Sequence, residues 1–291
     1  MNIHNIRQEL AIVDDVPPLE GQRYATCLQS YEEASNQRAR ILDWFTGHVI
    51  PKLPKDCASF LSVGCGAGVL DKKILAAGKE HASSISYIGL EPDPYQCERF
   101  IARMVSEGDR NIRVGVHNTS FEEFTGQDRF DLVLMVHSLY YMEDAKAAIL
   151  HALNLVNESG RLAVLIASND TLNELSSSFW GREKRGSTWF SEDLREYLEK
   201  LGVPFECKRI EARLDITSCC EPRSENGARI ADFLAQVPIE DLPMRLRQMI
   251  FSYIEATSHR DGDKRYLAHN VDAFVIETGQ TDAAGGLLAP E

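Results

Sequence analysis

The chain has 291 residues, of which 44% are hydrophobic and 26% charged, and its formal net charge is −13 at pH 7. That length suits one large domain, or one domain with an inserted subdomain. The acidity argues against electrostatic binding to nucleic acid or to an anionic membrane surface. No stretch approaches the ~20 apolar residues of a membrane span, and the N-terminal MNIHNIRQELAIVDDVPP lacks the basic start and apolar run of a signal peptide. The seven cysteines, Cys27, Cys57, Cys65, Cys97, Cys207, Cys219 and Cys220, show no metal-type spacing. Reduced, mostly buried thiols in a cytoplasmic protein without a metal are the expectation.

Residues 1–20 contain Pro17 and Pro18 and predict a flexible N-terminal arm. Residues 21–50 predict helix, because Leu28, Tyr31, Ala34, Ile41, Trp44 and Phe45 recur at helical intervals before Pro51 and Pro54. An alternation follows: a strand at 59–64, a helix at 71–79, a strand at 84–91, an amphipathic helix at 94–108 and a strand at 111–117. RFDLVLMVHSL (129–139) is a nearly continuous apolar strand, followed by a helix at 144–156 and a buried strand at 160–168. Apolar strands alternating with helices predict an α/β fold, a doubly wound Rossmann-like sheet covered on both faces. Beyond it, 171–203 reads as helical, 205–216 as one strand, 217–265 as polar with helical stretches and 269–278 as a last strand. Residues 279–291 read as a disordered tail.

Gly64-Cys65-Gly66-Ala67-Gly68 stands directly after one predicted strand and before a helix. Glycines let the backbone turn sharply and approach a ligand closely. The third glycine comes one residue earlier than the G-x-G-x-x-G of nicotinamide-binding folds requires. Glu91 ends the next strand, 23 residues after Gly68, near the ~20 of an acid that accepts from ribose hydroxyls. Gln96 follows on the next helix start, where its amide is a candidate adenosine contact. Ser120 and Phe121 follow the third strand, where a hydroxyl could pair with a base and a ring could stack on it. His137, Tyr140 and Tyr141 stand at the carboxyl end of the 129–139 strand, the end at which open α/β sheets bind ligands. His137 is a candidate proton acceptor or orienting group.

These segments resemble class I S-adenosylmethionine-dependent methyltransferases, and within them the histamine N-methyltransferases. The resemblance runs from about residue 21 to residue 278. It is carried by LSVGCGAG (61–68), EPDPYQ (91–96), LYYMED (139–144), LDITSCCEPRSENG (214–227) and HNVDAFVIE (269–277). It implies a seven-stranded methyltransferase sheet with a smaller substrate-binding subdomain, to which residues 21–50 and about 171–265 contribute. It implies S-adenosylmethionine as cofactor, held by Gly64, Gly66, Gly68, Glu91, Gln96, Ser120, Phe121 and Val136. Tyr24, Tyr140, Tyr141 and Trp180 would line the substrate, and Asn270 would meet its amine. Gln37 stands where the family holds a carboxylate for a cationic amine, with Glu32 and Glu33 one turn earlier, and His137 replaces a glutamine.

A neutral amide suits an ammonium poorly. The expected substrate is therefore a small aromatic or heteroaromatic molecule, imidazole-, indole- or arylalkylamine-like, methylated on nitrogen, with His137, Asn270 and Gln37 as catalytic or orienting residues. C-methylation of an indole-type carbon, or O-methylation with His137 as base, are the alternatives. More remote are a non-catalytic cofactor-binding protein and an NAD-dependent oxidoreductase. The only partner expected is the small-molecule substrate, and a monomer is favoured.

Overall fold

The computed structural model describes residues 2–13, 16–104, 109–180 and 189–278. In chain order its elements begin with α1 (Ile3–Leu10), α2 (Gly21–Ala34), α3 (Gln37–Trp44), β1 (Cys57–Val63), α4 (Val69–Lys79), β2 (Ser84–Leu90) and α5 (Pro94–Met104). Then come β3 (Ile112–His117), β4 (Phe130–Val136), α6 (Ala145–Asn154), β5 (Val156–Ile166), α7 (Thr171–Trp180) and α8 (Ser191–Leu201). The last are β6 (Glu206–Ile210), β7 (Arg213–Asp215), α9 (Glu225–Ala235), α10 (Met244–Thr257), β8 (His259–Asp261), β9 (Lys264–Ala268) and β10 (Val271–Glu277). Among the described residues no helix is long and apolar enough to cross a membrane.

The chain forms two compact units. One comprises Met1–Arg40, Ser168–Thr188 and Glu211–Val271; the other comprises Ile41–Ala167, Trp189–Ile210 and Asp272–Glu291. The substrate-binding part expected at 21–50 and about 171–265 overlaps the first, while residues 41–50 and 189–210 belong to the second.

The second unit holds the expected sheet, with strand order β3-β2-β1-β4-β5-β10-β6. β1 pairs in parallel with both β2 and β4, β4 pairs in parallel with β5, and β10 runs antiparallel to β5. The central parts of strands β4 and β5 are apolar because helices cover both faces: Leu132, Val133, Met135, Leu162 and Val164 are all 0% exposed. Asp131 of β4, half-buried, accepts from Ser59 N and Oγ and from Asn157 Nδ2, so neither of its oxygens is orphaned. β4 stops at Val136, short of the expected 139, because His137 takes a left-handed φ of 54° and turns the chain out of the ladder.

The first unit is mainly helical, with α2 packed on α9 and α1 on α10. Within the segment expected as a loose arm, Asn2 caps α1 by accepting from His4 N, and Ile6 and Leu10 are buried in this unit's core. The single helix expected over 21–50 is interrupted at Ser35, whose extended backbone (φ −106°, ψ 142°) makes a bridge to Leu214. The single strand expected over 205–216 is likewise two, β6 in the large sheet and β7 in a small sheet of order β7-β9-β8. The Glu225-Asn226-Gly227 segment starts α9, which Ser224 Oγ caps by accepting from Gly227 N. A Cβ on Gly227 would lie 2.1 Å from the Ser218 carbonyl oxygen, so this glycine permits a close backbone crossing. The tail 279–291 lies outside the described residues.

Candidate active site

The carboxyl ends of β2, β1 and β4 lie side by side in the large sheet and carry most of the expected cofactor residues. Gly64, Gly66 and Gly68 have φ values of 69°, 53° and 70°, a conformation that costs a side-chain-bearing residue about 1–2 kcal/mol. Two of these glycines also face contact: a Cβ at Gly64 would come 2.7 Å from Ser138 Cβ, and one at Gly68 2.7 Å from the Phe100 ring. A Cβ at Gly66 would meet nothing within 4 Å. The loop is thus packed underneath at its two ends and open at its middle glycine. Gly64 N and Cys65 N both donate to Leu90 O, tying the loop to the end of β2.

Glu91 is fixed where sequence spacing put it. Its Oε2 accepts from Gly66 N at 3.0 Å and its Oε1 from Asp93 N at 3.0 Å. Asn118 Nδ2 donates to the Glu91 carbonyl, which fixes the backbone as well. Each carboxylate oxygen keeps lone-pair capacity for a ligand hydroxyl. Gln96 lies in the first turn of α5, half-buried, beyond this acid. Ser120 Oγ accepts from Glu123 N. The Phe121 ring is 3% exposed and stacks on His151 at 4.6 Å and 9°, so its face is engaged in the core. Burial holds the His151 imidazole below its ordinary pKa, which keeps that stack neutral.

Val136 is the last residue of β4, and His137 follows in its left-handed turn. Its N–H donates to Leu165 O at 2.9 Å and its Nδ1 lies 3.1 Å from Tyr140 Oη. That phenolic oxygen also accepts from Ala167 N at 2.5 Å. A strained backbone braced on a neighbouring strand, beside a ligand-binding edge, is a recurrent mark of a functional position. Two tautomers fit this contact. If Tyr140 donates to Nδ1, the neutral ring carries its proton on Nε2. If Nδ1–H donates to Tyr140, Nε2 has a lone pair able to take a proton. Tyr141 is 60% exposed and meets the Tyr140 ring edge-on at 6.3 Å.

The remaining expected residues stand in the first unit. Gln37 is 5% exposed and its Nε2 donates to the His269 carbonyl at 2.7 Å. Asn270 Oδ1 accepts from Ala212 N. The Tyr24 ring packs against Phe233, as does that of Tyr31 at 4.4 Å. The Trp180 side chain lies outside the described ones. Sequence reasoning passed over a hydroxyl–imidazole–hydroxyl chain here: His269 lies between Tyr31 Oη at 2.5 Å and Ser35 Oγ at 2.6 Å. Tyr31 lies in α2 and Ser35 is the extended residue that ends it, so no helical spacing in the sequence announces this arrangement. Glu32 pairs with Arg38, and Glu33 accepts from Gln29. Burial outweighs that pairing and raises the Glu32 carboxyl.

Comparison with known proteins agrees with this architecture. A family profile described as a methyltransferase domain matches residues 25–206. Histamine N-methyltransferase of Danio rerio is 22% identical, over 91% of this chain and 97% of that protein. Carnosine N-methyltransferase 2 of Gallus gallus is 23% identical, over 93% of this chain and 91% of that protein. Among solved structures, YcgJ of Bacillus subtilis superposes with a TM-score of 0.52 at 14% identity, covering 80% of this chain and 97% of that one. The plantazolicin methyltransferase BpumL, solved with a pentazolic analogue and S-adenosylhomocysteine, gives 0.50 at 13%, covering 94% and 98%. The profile spans more than half of the chain, so the chain belongs to the methyltransferase domain family, and it is an S-adenosylmethionine-dependent methyltransferase.

Proposed function

We propose that this protein methylates a nitrogen of a small aromatic or heteroaromatic molecule of imidazole, indole or arylalkylamine type. The observation that carries the reading is His137, a titratable side chain held in a left-handed turn at the end of β4, one strand from the glycine loop. The loop residues fit the donor: Gly66 is open where a Cβ would stand, and the Glu91 carboxylate is aimed by two backbone N–H groups. In this reading Glu91 takes the ribose hydroxyls, with Gly64, Gly66, Gly68, Gln96, Ser120, Phe121 and Val136 as its neighbours on the cofactor.

When bound, the donor supplies a methyl group on a sulfonium, already activated for displacement. The chain's task is then positioning, which can account for most of the acceleration. His137 accepts the proton that a neutral nitrogen sheds, through the tautomer whose Nδ1–H donates to Tyr140. Tyr140 and Tyr141 offer aromatic surface on the same turn. Tyr24, Gln37, Asn270 and Trp180 keep the substrate-contacting roles that the sequence resemblance implies. The relatives named for histamine and carnosine favour an imidazole, while Gln37 in place of a carboxylate, and Glu32 already paired with Arg38, favour a substrate less cationic than histamine.

The decisive experiment is transfer of label from methyl-labelled S-adenosylmethionine across panels of imidazoles, indoles and arylalkylamines, with the product's methylated atom assigned by NMR. N-methylation of a neutral heteroaromatic is the expected result. Methyl found on a ring carbon or a hydroxyl oxygen would replace the nitrogen reading.

A further inference from the structure

Ser138 is the residue of this neighbourhood that no motif selects. It is 5% exposed, and its Oγ has no hydrogen-bond partner among the described residues. It precedes the 3-10 turn Leu139–Tyr141, a place where a serine hydroxyl ordinarily accepts from the turn's own N–H groups. Here it makes no such bond, and its backbone (φ −106°, ψ −22°) is not the extended one that aims a capping side chain. The side chain lies instead against the glycine loop: a Cβ at Gly64 would stand 2.7 Å from Ser138 Cβ and 3.5 Å from its Oγ. A buried hydroxyl without a partner destabilises the protein that holds it. Such orphans are uncommon enough to call for a reason, and a ligand that completes the bond is one.

The order of strands says which part of the ligand that is. β2, β1 and β4 are consecutive neighbours in the sheet, and Glu91, the glycine loop and Ser138 follow their carboxyl ends in the same order. With the ribose at Glu91, the nucleoside lies toward β2. The opposite end of S-adenosylmethionine, an amino acid with ammonium and carboxylate groups, then extends toward β4. We propose that the Ser138 hydroxyl hydrogen-bonds this amino-acid end of S-adenosylmethionine and S-adenosylhomocysteine, and so positions the donor beside His137. A serine hydroxyl both donates and accepts, so it suits either charged group, and rotation about one bond between staggered positions redirects it. The orientation rests on the reading of Glu91 as the ribose residue.

The test is calorimetric titration of the protein, Ser138→Ala and Glu91→Gln with two ligands. One is S-adenosylhomocysteine; the other is 5′-methylthioadenosine, which keeps the nucleoside and thioether but lacks the amino-acid end. Thermal melting of the ligand-free proteins accompanies it. Ser138→Ala is expected to weaken S-adenosylhomocysteine about tenfold, the loss of one hydrogen bond to a charged group, and to leave methylthioadenosine unchanged. Ligand-free Ser138→Ala should melt at or above the parent temperature, because an unbonded hydroxyl has gone. Unchanged S-adenosylhomocysteine affinity, equal weakening of both ligands, or a lower melting temperature of the free variant would each overturn the proposal. Glu91→Gln should weaken both ligands; undiminished methylthioadenosine binding there overturns the ribose reading separately.

Discussion

At His137, a backbone turn and a titratable ring coincide, and the turn is what aims the ring. Replacing it with alanine should lower kcat by about 10²–10⁴, the usual worth of a positioned base, and leave S-adenosylhomocysteine affinity as it was. Parent-like turnover in His137→Ala would remove the base role. Tyr140→Phe asks the subtler question of which nitrogen holds the proton. If Nδ1–H donates to the phenol, its loss should lower kcat by about tenfold, one charge-assisted hydrogen bond; a rise would place the phenol's own proton on Nδ1. The glycines of the loop separate shape from contact. Gly66→Ala carries only the left-handed cost of about 1–2 kcal/mol, yet should abolish measurable cofactor binding, because its Cβ enters the open middle of the loop. Gly68→Ala adds a clash with the Phe100 ring, so its urea-denaturation midpoint should fall further than that of Gly66→Ala.

Strand β10 shows what an element must satisfy to lie inside a sheet. Asp272 near its start is 6% exposed, and it accepts from Ser191 Oγ at 2.7 Å and from Arg209 Nε at 2.9 Å. Burial pushes this carboxyl up, but the bonds from Arg209 and Ser191 and the nearby arginine charges outweigh burial and hold it below the ordinary value. A depressed carboxyl stabilises the fold above its unfolded pKa of about 3.9 and loses that contribution as pH falls through the folded value. Asp272→Asn should therefore cost about 1–3 kcal/mol at pH 7, with the difference from the parent closing below about pH 4. Denaturation midpoints across pH check this; a gap that persists into acid would contradict it. The apolar runs of β4 and β5 made the large sheet legible in the sequence. The strands HRD of β8 and KRYLA of β9 were not, because such short charged segments show no alternation and owe their pairing to tertiary context. The α1 helix carried a readable signal in Ile6 and Leu10, four residues apart, that Pro17 and Pro18 obscured. At the site, spacing exposed the glycines and Glu91, whereas the orphaned hydroxyl of Ser138 depends on what surrounds it and has no pattern of its own.

For the molecule as a whole, ligand binding and thiol chemistry give the broadest checks. Saturation with S-adenosylhomocysteine at 100 times its Kd should add about 2.7 kcal/mol to the stability of the fold that binds it, read as a rise in melting temperature; no rise would argue against a preformed site. Cys27, Cys65, Cys97 and Cys219 are buried, whereas Cys57 and Cys220 are exposed. Burial and the neighbouring Cys220 and Asp215 push the Cys219 thiol up to about 12. A thiol reagent should label Cys57 first in the native protein and reach the buried four only on unfolding, a sequence of events mass spectrometry resolves. One consequence of the sheet order concerns how the chain is made. Among the described residues β10 is the last strand in chain order, yet it lies between β5 and β6, not at an edge. A ribosome thus delivers every other strand of that sheet while β5 still shows a bare edge, the kind of surface that pairs with other chains. Products ending before residue 271 would keep that edge for good, so premature termination yields an aggregation-prone fragment, not a smaller working enzyme.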